Sequence, residues 1–270
     1  MRLVGTADLH FSPHAQRTRC IARCAIRHPL HCHGVRMPVP SKTIGLIGGM
    51  SWESTLPYYR IINQRVRHAC GGLHSAKLLL YSVNFHAIER LQHAGDWEGA
   101  GQAMAAAARA LQAGGADFIV LCTNTMHCVA DAITSATPLP LLHIADVTAD
   151  ALVAAGINRV GLLGTRFTME QPFYRARLQP RGLDVLVPPA DAREELHRVI
   201  YNELCQGVIK PESRAYVRQV MADLGQHGAQ AIILGCTEIS LLVDSTDTQL
   251  PLFDTTALHA EAAALASVSD

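Results

Sequence analysis

From Lys42 onward, apolar and polar residues follow two different patterns along this chain. Short apolar runs, which are typical of buried strands, are separated by longer segments in which apolar residues recur at helical spacing, as Tyr58, Ile62 and Val66 do. The pattern predicts strands at 43–48, near 76–83, and at 118–121, 141–142, 160–165, 232–235 and 250–253. It predicts helices that begin near 51–54 and others at 96–113, 125–134, 146–155, 168–179, 191–205, 212–227 and 255–267.

The strand pattern occurs twice. Gly48 and Gly164 each end a glycine-bearing strand, and each is followed by an apolar run that ends at a cysteine. The separation is 74 residues from Gly48 to Cys122 and 72 residues from Gly164 to Cys236. This agreement predicts one half-domain used twice. We therefore expect an α/β protein of two similar lobes, with mostly parallel sheets flanked by helices and the active site in the cleft between the lobes.

The expected domain bounds follow from this repeat. The first lobe comprises residues 42–146 plus 250–270, and the second comprises 147–249. Residues 1–41 differ in composition, with six arginines, five histidines and a single acidic residue. We interpret this segment as a disordered extension or as the product of a start codon placed too early. A transit peptide is another interpretation, and a zinc site is a further one, formed from Cys20, Cys24, His28, His31, Cys32 and His33.

Composition narrows the possible partners. Lysine plus arginine equals aspartate plus glutamate at 23 each, so no basic field indicates a nucleic acid or an anionic membrane surface. No apolar run approaches the roughly 18 residues of a membrane span. Eight cysteines in an ordinary α/β chain, without the spacing of a small disulfide-rich domain, indicate a reducing compartment. These features predict a cytoplasmic protein that acts on a small molecule.

Two of the cysteines have a setting that favours chemistry. Cys122 and Cys236 each follow a predicted strand and precede a predicted helix, where ligands of parallel α/β sheets gather. A helix N-terminus stabilises a thiolate and can lower a cysteine pKa from roughly 8.5 to about 3.5–7.5. A thiolate can act as a base, so two opposed thiols would form a proton-transfer device. The strand-end setting is missing at Cys70, Cys128 and Cys205, which we expect to be packing residues.

Three ordered motifs in these duplicated surroundings resemble the aspartate/glutamate racemase family, and most closely its L-aspartate/glutamate-specific amino acid racemases. The resemblance covers about residues 42–270 and rests on the segments 42–54, 122–127 and 235–238. It implies inversion of the α-carbon of L- or D-aspartate and/or glutamate without a cofactor. It also implies that Cys122 and Cys236 act on opposite faces of the substrate, and that the protein is a homodimer.

Substrate-binding residues are expected around the two thiols and at the strand ends. They are Met50, Ser51, Gln92, Thr123, Asn124, Thr125, Thr165, Arg166, Arg193, Thr237 and Glu238. Aspartate-specific relatives hold the substrate carboxylates with an arginine and a lysine, and this double-basic clamp is not reproduced here. Gln92, Arg193 and Arg166 are the candidates for that role. His127 could tune the first thiolate or only pack, and Glu238 could orient Cys236 or complement a helix N-terminus.

Pyridoxal phosphate is the usual alternative for amino acid racemisation, and it requires a Schiff-base lysine. The three lysines of the chain, Lys42, Lys77 and Lys210, lie at strand starts or in a segment between helices. We therefore expect no cofactor and no metal. Two other functions stay open: an isomerase or decarboxylase of small dicarboxylates that uses one thiol, and a catalytically silent protein that binds small acids.

Overall fold

The computed structural model describes residues 41–269. The predictions made for residues 1–40, including the zinc site, lie outside the described residues. Within the described part, strands and helices alternate as the sequence pattern predicts, and they form two four-stranded sheets. The fold class predicted from the repeat is confirmed.

The first sheet contains β1 (Ile44–Gly48), β2 (Leu78–Ser82), β3 (Phe118–Leu121) and β4 (Leu141–Leu142). Its strand order is β2-β1-β3-β4, and all neighbouring strands are parallel. Every residue of β1 and β3 is buried, because helices cover both faces of the sheet. The continuous apolar runs of these strands reflect burial on both faces.

The second sheet repeats this topology. It contains β5 (Arg159–Gly164), β6 (Asp184–Leu186), β7 (Ala231–Gly235) and β8 (Leu252–Asp254) in the order β6-β5-β7-β8, again with all pairs parallel. The strand β8 pairs with β7. The prediction that this last strand returns to the first lobe is therefore wrong for the strand, although the helix that follows it does return.

The helices are α1 (Trp52–Cys70), α2 (Phe85–Ala94), α3 (Trp97–Ala113), α4 (Ala130–Ala136), α5 (Ile144–Ala154), α6 (Arg166–Glu170), α7 (Pro172–Leu178), α8 (Ala190–Asn202), α9 (Pro211–Gln226), α10 (Ile239–Leu242) and α11 (Thr255–Val268). Short 3₁₀ turns occupy Thr125–Val129, Gln179–Arg181 and Leu204–Gln206. The sequence pattern did not predict α2. The helix predicted at 168–179 is divided, because Pro172 starts a new helix at its first position.

Two helices cross between the lobes. After β4, helix α5 packs Ile144, Ala149 and Leu152 into the core of the second lobe. After β8, helix α11 packs Ala260 and Ala263 into the core of the first lobe, against α1. Each sheet is therefore completed by a helix that follows the last strand of the other sheet.

Candidate active site

A small cavity lies where residues from the ends of strands in both sheets come together, which is the position expected for a ligand in parallel α/β sheets. The empty space at this position, including the part that is open to solvent, is about 330 Å³. Its lining comprises Met50, Phe85, Gln92, Thr123, Asn124, Thr125, Thr165, Ile200, Tyr201, Cys205, Gly235, Cys236, Thr237 and Glu238. Both sequence halves contribute, so the cavity lies at the junction of the two lobes.

Cys236 follows β7 and lines this cavity, with 6% of its surface exposed. Its Sγ donates a hydrogen bond of 3.1 Å to Oε2 of Glu238. Burial raises the pKa of the Cys236 thiol well above its ordinary value, and the carboxylate of Glu238 raises it further. The expected lowering by a helix N-terminus is wrong here, because the helix that follows has only one turn and a carboxylate lies beside the thiol.

Glu238 links the two lobes through its carboxylate. It is 3% exposed, and its Oε2 also accepts a hydrogen bond of 2.7 Å from Oγ1 of Thr237. Its Oε1 accepts from Ser51 of the first lobe, at 2.8 Å from the hydroxyl oxygen and 3.4 Å from the backbone nitrogen. The buried carboxylate is thus held by neutral donors, one of which is the thiol of Cys236.

Cys122 points away from the cavity. Along β3 the side chains alternate between two cores, and Phe118, Val120 and Cys122 belong to the core formed with α1 and α11. Ile119 and Leu121 belong to the core on the opposite face. Cys122 is fully buried, and its Sγ donates only a long contact of 3.9 Å to the carbonyl oxygen of Val120. Burial raises the pKa of this thiol.

Thr123, the next residue, continues on the opposite side and lines the cavity. The strand registers show which positions of the two lobes are equivalent. Leu121 pairs with Ile47, and Leu234 pairs with Leu163, which are the residues directly before the matched glycines of β1 and β5.

Two positions beyond these paired leucines, the first lobe presents Thr123 and the second presents Cys236. The position equivalent to Cys122 is occupied by Gly235 in the second lobe. The structure therefore corrects the predicted pair of facing thiols: it brings Thr123 and Cys236 to the cavity, and leaves Cys122 in the core.

Hydroxyl groups of residues that follow β3 and β5 also form hydrogen bonds between the lobes. Oγ1 of Thr125 lies 2.9 Å from Oγ1 of Thr165 and 3.3 Å from Oγ1 of Thr168. Asn124 donates from Nδ2 to Oγ1 of Thr255 at 3.0 Å, while its Oδ1 is buried without a hydrogen-bond partner among the described residues. An unpaired buried acceptor at a cavity wall is suited to a donor on a ligand, such as an ammonium group.

Gln92 is placed in the cavity as a buried amide. Its Oε1 accepts a hydrogen bond of 2.9 Å from the hydroxyl of Tyr201, and its Nε2 donates to Sδ of Met126 at 3.1 Å. The ring of Phe85 stacks on that of Tyr201, with centroids 6.2 Å apart. Gln92 and Tyr201 belong to different lobes, so this bond also crosses the junction.

The two candidate arginines lie elsewhere. Arg166 pairs with Glu194 at 2.8 Å, and 41% of the Arg166 side chain is exposed. Arg193 pairs with Glu170 at 2.8 Å and donates to the carbonyl oxygen of Pro188 at 2.8 Å. Their placement as substrate-binding residues is corrected, because the partners of both guanidinium groups hold them outside the cavity.

Apart from Gly235, which lies in the motif 235–238, sequence reasoning missed four lining residues: Phe85, Ile200, Tyr201 and Cys205. They come from α2, from α8 and from the 3₁₀ turn after it, not from strand ends. The carboxylate of Glu238 lies close enough to Cys205 to raise the pKa of that thiol, next to the larger effect of burial. Their only sequence signal is an apolar helix face, which ordinary core residues share.

His127 supports the loop that carries Thr123. Its Nδ1 bonds to the carbonyl oxygen of Thr123 at 2.7 Å, and its Nε2 accepts from the backbone of Ile144 at 3.3 Å. Burial lowers the pKa of this imidazole, and the neighbouring His143 and His259 lower it further. His127 is thus a neutral packing residue beside the cavity and does not contact Cys236.

Two of the three lysines have hydrogen-bond or ion-pair partners away from the cavity. Lys42 donates to the carbonyl oxygen of Ser269, and Lys210 pairs with Glu203, so both are bonded outside the cavity. Among residues 41–269, no group of three histidine, cysteine, aspartate or glutamate side chains has the arrangement of a metal site. The same range contains no helix with the length and apolar character that crossing a membrane requires.

Comparison with known proteins gives a consistent result. A family model described as Asp/Glu/hydantoin racemase matches residues 47–263. A broad specificity amino-acid racemase of Bacillus subtilis is 26% identical over 81% of this chain and 95% of its own length. A Yersinia pestis structure assigned to the Asp/Glu racemases is 56% identical, with a TM-score of 0.79 over 84% of this chain and 100% of its own. An aspartate racemase homologue from Pyrococcus horikoshii is 33% identical, with a TM-score of 0.73 over 84% of this chain and 100% of its own.

Proposed function

The chain belongs to the Asp/Glu/hydantoin racemase family and is an isomerase of amino acids, and from this premise we propose how it inverts its substrate. One of the two side chains, Cys236 or Thr123, removes the α-proton from its face of the substrate, and the other side chain donates its own proton to the opposite face, without pyridoxal phosphate. The observation that carries the proposal is the thiol of Cys236, hydrogen-bonded to Glu238 in a cavity whose equivalent wall in the other lobe presents Thr123. Relatives named for aspartate and glutamate make these two amino acids the first substrates to test.

Inversion needs a base on one face of the α-carbon and an acid on the other. Cys236 is protonated in the free cavity, because burial and Glu238 both disfavour its thiolate. A bound substrate brings a positive ammonium group into the cavity, and a nearby positive charge favours the thiolate. The acceptor Oδ1 of Asn124 is available to hold that ammonium group. Glu238, which accepts the hydrogen bond of the thiol, takes up the thiol proton when the thiolate forms, and Cys236 can then remove the α-proton.

The two faces are chemically unequal in this proposal. A threonine hydroxyl is a much weaker acid than a thiol, so the face of Thr123 gives up its proton less readily. The two enantiomers have equal free energies, and kcat/KM must therefore be the same for both whatever the side chains are. The inequality appears instead in hydrogen exchange: a carbanion formed by Cys236 can be reprotonated by the same thiol, which exchanges the α-hydrogen without inversion.

Exchange in D₂O tests the proposal. Both enantiomers of aspartate and of glutamate are incubated without added cofactor, and NMR measures loss of the α-hydrogen while chiral chromatography measures inversion. With Thr123→Ala, we expect inversion to fall by about 10²–10⁴, whereas one enantiomer still exchanges its α-hydrogen with retention. Thr134→Ala, on the surface of α4, is the matched control and should behave as the unaltered protein. Normal inversion by Thr123→Ala would refute the role of Thr123.

A second candidate function rests on the same asymmetry. Because only one of the two predicted thiols lines the cavity, a reaction with a single proton donor is also chemically possible, such as decarboxylation of a small dicarboxylate. In that case Cys236 protonates a carbanion formed by loss of CO₂. Release of CO₂ from a substituted malonate, with no exchange of any amino acid, would select this candidate.

We also propose a homodimer, as the family resemblance implies. Trp52, Leu56 and Tyr59 lie on one face of α1, and each is more than half exposed, at 60%, 57% and 54%. Large apolar side chains that form a stripe on the surface are typical of a protein contact. Light scattering on the purified protein should give twice the chain mass, and Leu56→Glu should give the monomer.

A further inference from the structure

The cavity wall has two parts of different origin. One part consists of strand-end residues, among them Thr123, Asn124 and Cys236, which the proposed function assigns to the α-carbon and its ammonium group. The other part consists of Phe85 and Gln92 from α2 and Ile200 and Tyr201 from α8. Since the strand-end groups are occupied by the α-carbon, the substrate side chain meets the helical part of the wall.

This helical part carries no charge. Phe85 and Ile200 are apolar, and the polar groups are the amide of Gln92 and the hydroxyl of Tyr201. Of the described residues that line the cavity, Glu238 alone has a charged side chain, and its charge is negative. Among residues 41–269, the lining therefore supplies no cation of the kind that normally balances the side-chain carboxylate of a dicarboxylate substrate.

The buried carboxylate makes an added negative charge unfavourable. Glu238 already accepts hydrogen bonds from Ser51, Thr237 and Cys236, and none of these donors is a cation. Repulsion between two carboxylates is strong in a buried site, where the effective dielectric constant is low. The surroundings of Tyr201 also disfavour negative charge. Burial raises the pKa of its hydroxyl, and Cys205, Cys236 and Glu238 raise it further.

Gln92 offers a donor that suits an uncharged oxygen. In the described part of the chain its Nε2 donates to the thioether of Met126, and a thioether is a weak acceptor. Its Oε1 accepts from Tyr201, which fixes the orientation of the amide, so Nε2 can exchange its weak acceptor for a better one. An amide or hydroxyl oxygen on the substrate would be a better acceptor than the sulfur.

We infer that this racemase site prefers amino acids whose side chain is uncharged and ends in an amide or hydroxyl group, over aspartate and glutamate. The inference rests on the proposed function and names the substrate class of the same cavity. Gln92 and Tyr201 are the residues that determine this specificity, through hydrogen bonds to the end of the side chain. Glu238 disfavours a second carboxylate.

Isosteric substrate pairs test the inference. Glutamine and glutamate have nearly the same shape and differ in charge, as asparagine and aspartate do, so their ratio isolates the electrostatic contribution. We expect kcat/KM for α-hydrogen exchange to be larger for the amide by about tenfold or more in at least one pair. An equal or larger value for the acid in both pairs would overturn the inference and leave the racemase function intact. Exchange with none of the amino acids would contradict the racemase function itself.

Variants of Gln92 give a second test. Gln92→Arg supplies the missing cation and should shift the glutamate-to-glutamine ratio toward glutamate by about tenfold, whereas Gln92→Glu should shift it the other way. Arg90→Gln, an exposed residue of the same helix, controls for general charge effects and should leave the ratio unchanged. Circular dichroism reports whether each variant folds.

Tyr201→Phe keeps the aromatic ring and provides an independent test if Gln92→Arg does not fold. It should lower kcat/KM for glutamine more than for alanine, because alanine cannot use the hydrogen bond. Protection of Cys236 from iodoacetamide gives a readout of binding alone, and glutamine should protect at lower concentration than glutamate. Unchanged ratios in Gln92→Glu and in Tyr201→Phe would refute the specificity role of these residues.

Discussion

The same chemical change at two buried cysteines should have opposite consequences. Cys122 and Cys236 are both nearly inaccessible, at 0% and 6% exposure, yet only Cys236 lines the cavity. We expect Cys122→Ala to lower stability and retain turnover. We expect Cys236→Ala to retain stability and lose turnover.

The sizes of the two effects follow from their surroundings. Cys122 belongs to the same buried core as Tyr58, Ile62 and Ala260, so removal of its sulfur leaves a small void. Deleting this one buried sulfur costs about 1–3 kcal/mol, including the void. In a chain of this size each kcal/mol lowers Tm by roughly 2–4 °C, so a loss of about 2 kcal/mol lowers it by roughly 4–8 °C.

Cys236 contributes differently. Its removal deletes one hydrogen bond to Glu238, which still accepts from Ser51 and Thr237, so the free energy of unfolding changes by only about 1 kcal/mol. Loss of an acid–base group costs about 10²–10⁴ in rate, which corresponds to about 3–5 kcal/mol in activation free energy.

The assay combines differential scanning calorimetry with chiral chromatography on the two variants and the unaltered protein. Cys70→Ala is the matched control, because Cys70 is buried at the end of α1 in the same core as Cys122. It should resemble Cys122→Ala in both measurements. If Cys122→Ala abolished racemisation while keeping its Tm, the inference from β3 that Cys122 points away from the substrate would be wrong. The mechanism with two cysteines would then be correct.

Further outcomes can be measured directly. Glu238→Gln should reduce kcat by about 10²-fold, because the amide cannot take up the thiol proton of Cys236, and a normal kcat by chiral chromatography would contradict this. Urea unfolding should show lower stability as pH falls below about 6.5, since the pKa of His127 is lowered, that of His143 is lowered to about 3 and that of His259 to about 4. The unfolded chain then binds more protons than the folded chain, so the free energy of unfolding falls by up to about 4 kcal/mol per pH unit for the three groups together. A free energy of unfolding that does not change between pH 6 and pH 5 would contradict this expectation. Dialysis against EDTA with hydroxylamine should leave racemisation unchanged, whereas alkylation by iodoacetamide should abolish it, and loss on chelation would defeat the cofactor-free proposal.

The order of elements could be predicted from the sequence because strands buried on both faces give continuous apolar runs, and helices give a different period. Burial on both faces also made it impossible to predict to which side of the sheet the side chain of Cys122 points. In Phe118–Leu121 both faces are apolar, so the pattern carries no information about which side the next residue takes. Matching the two halves by their cysteines then placed Cys122 opposite Cys236, whereas the pairing of Leu121 and Leu234 with their neighbours shows an offset of one residue.

The helical wall of the cavity could not be predicted for another reason. Tyr201 and Ile200 lie on α8, where apolar residues at helical spacing indicate only a buried face. Their approach to Gln92 depends on how the two lobes meet, and this is a long-range property that no local pattern contains. Arg166 and Arg193 were misplaced in the same way, because their acidic partners on neighbouring helices are remote in sequence.

The exchange of α5 and α11 between the lobes determines how the protein can come apart. Each half of the sequence encodes a complete sheet, but the core of each sheet contains alanines or leucines from a helix that the other sheet leads into. A fragment ending after β4 would lack α11, and a fragment beginning at β5 would lack α5, so either one would expose an unfilled apolar face. We therefore expect a single cooperative unfolding transition in which the duplicated halves melt together. Two lobes that repeat one topology would then behave as one thermodynamic unit.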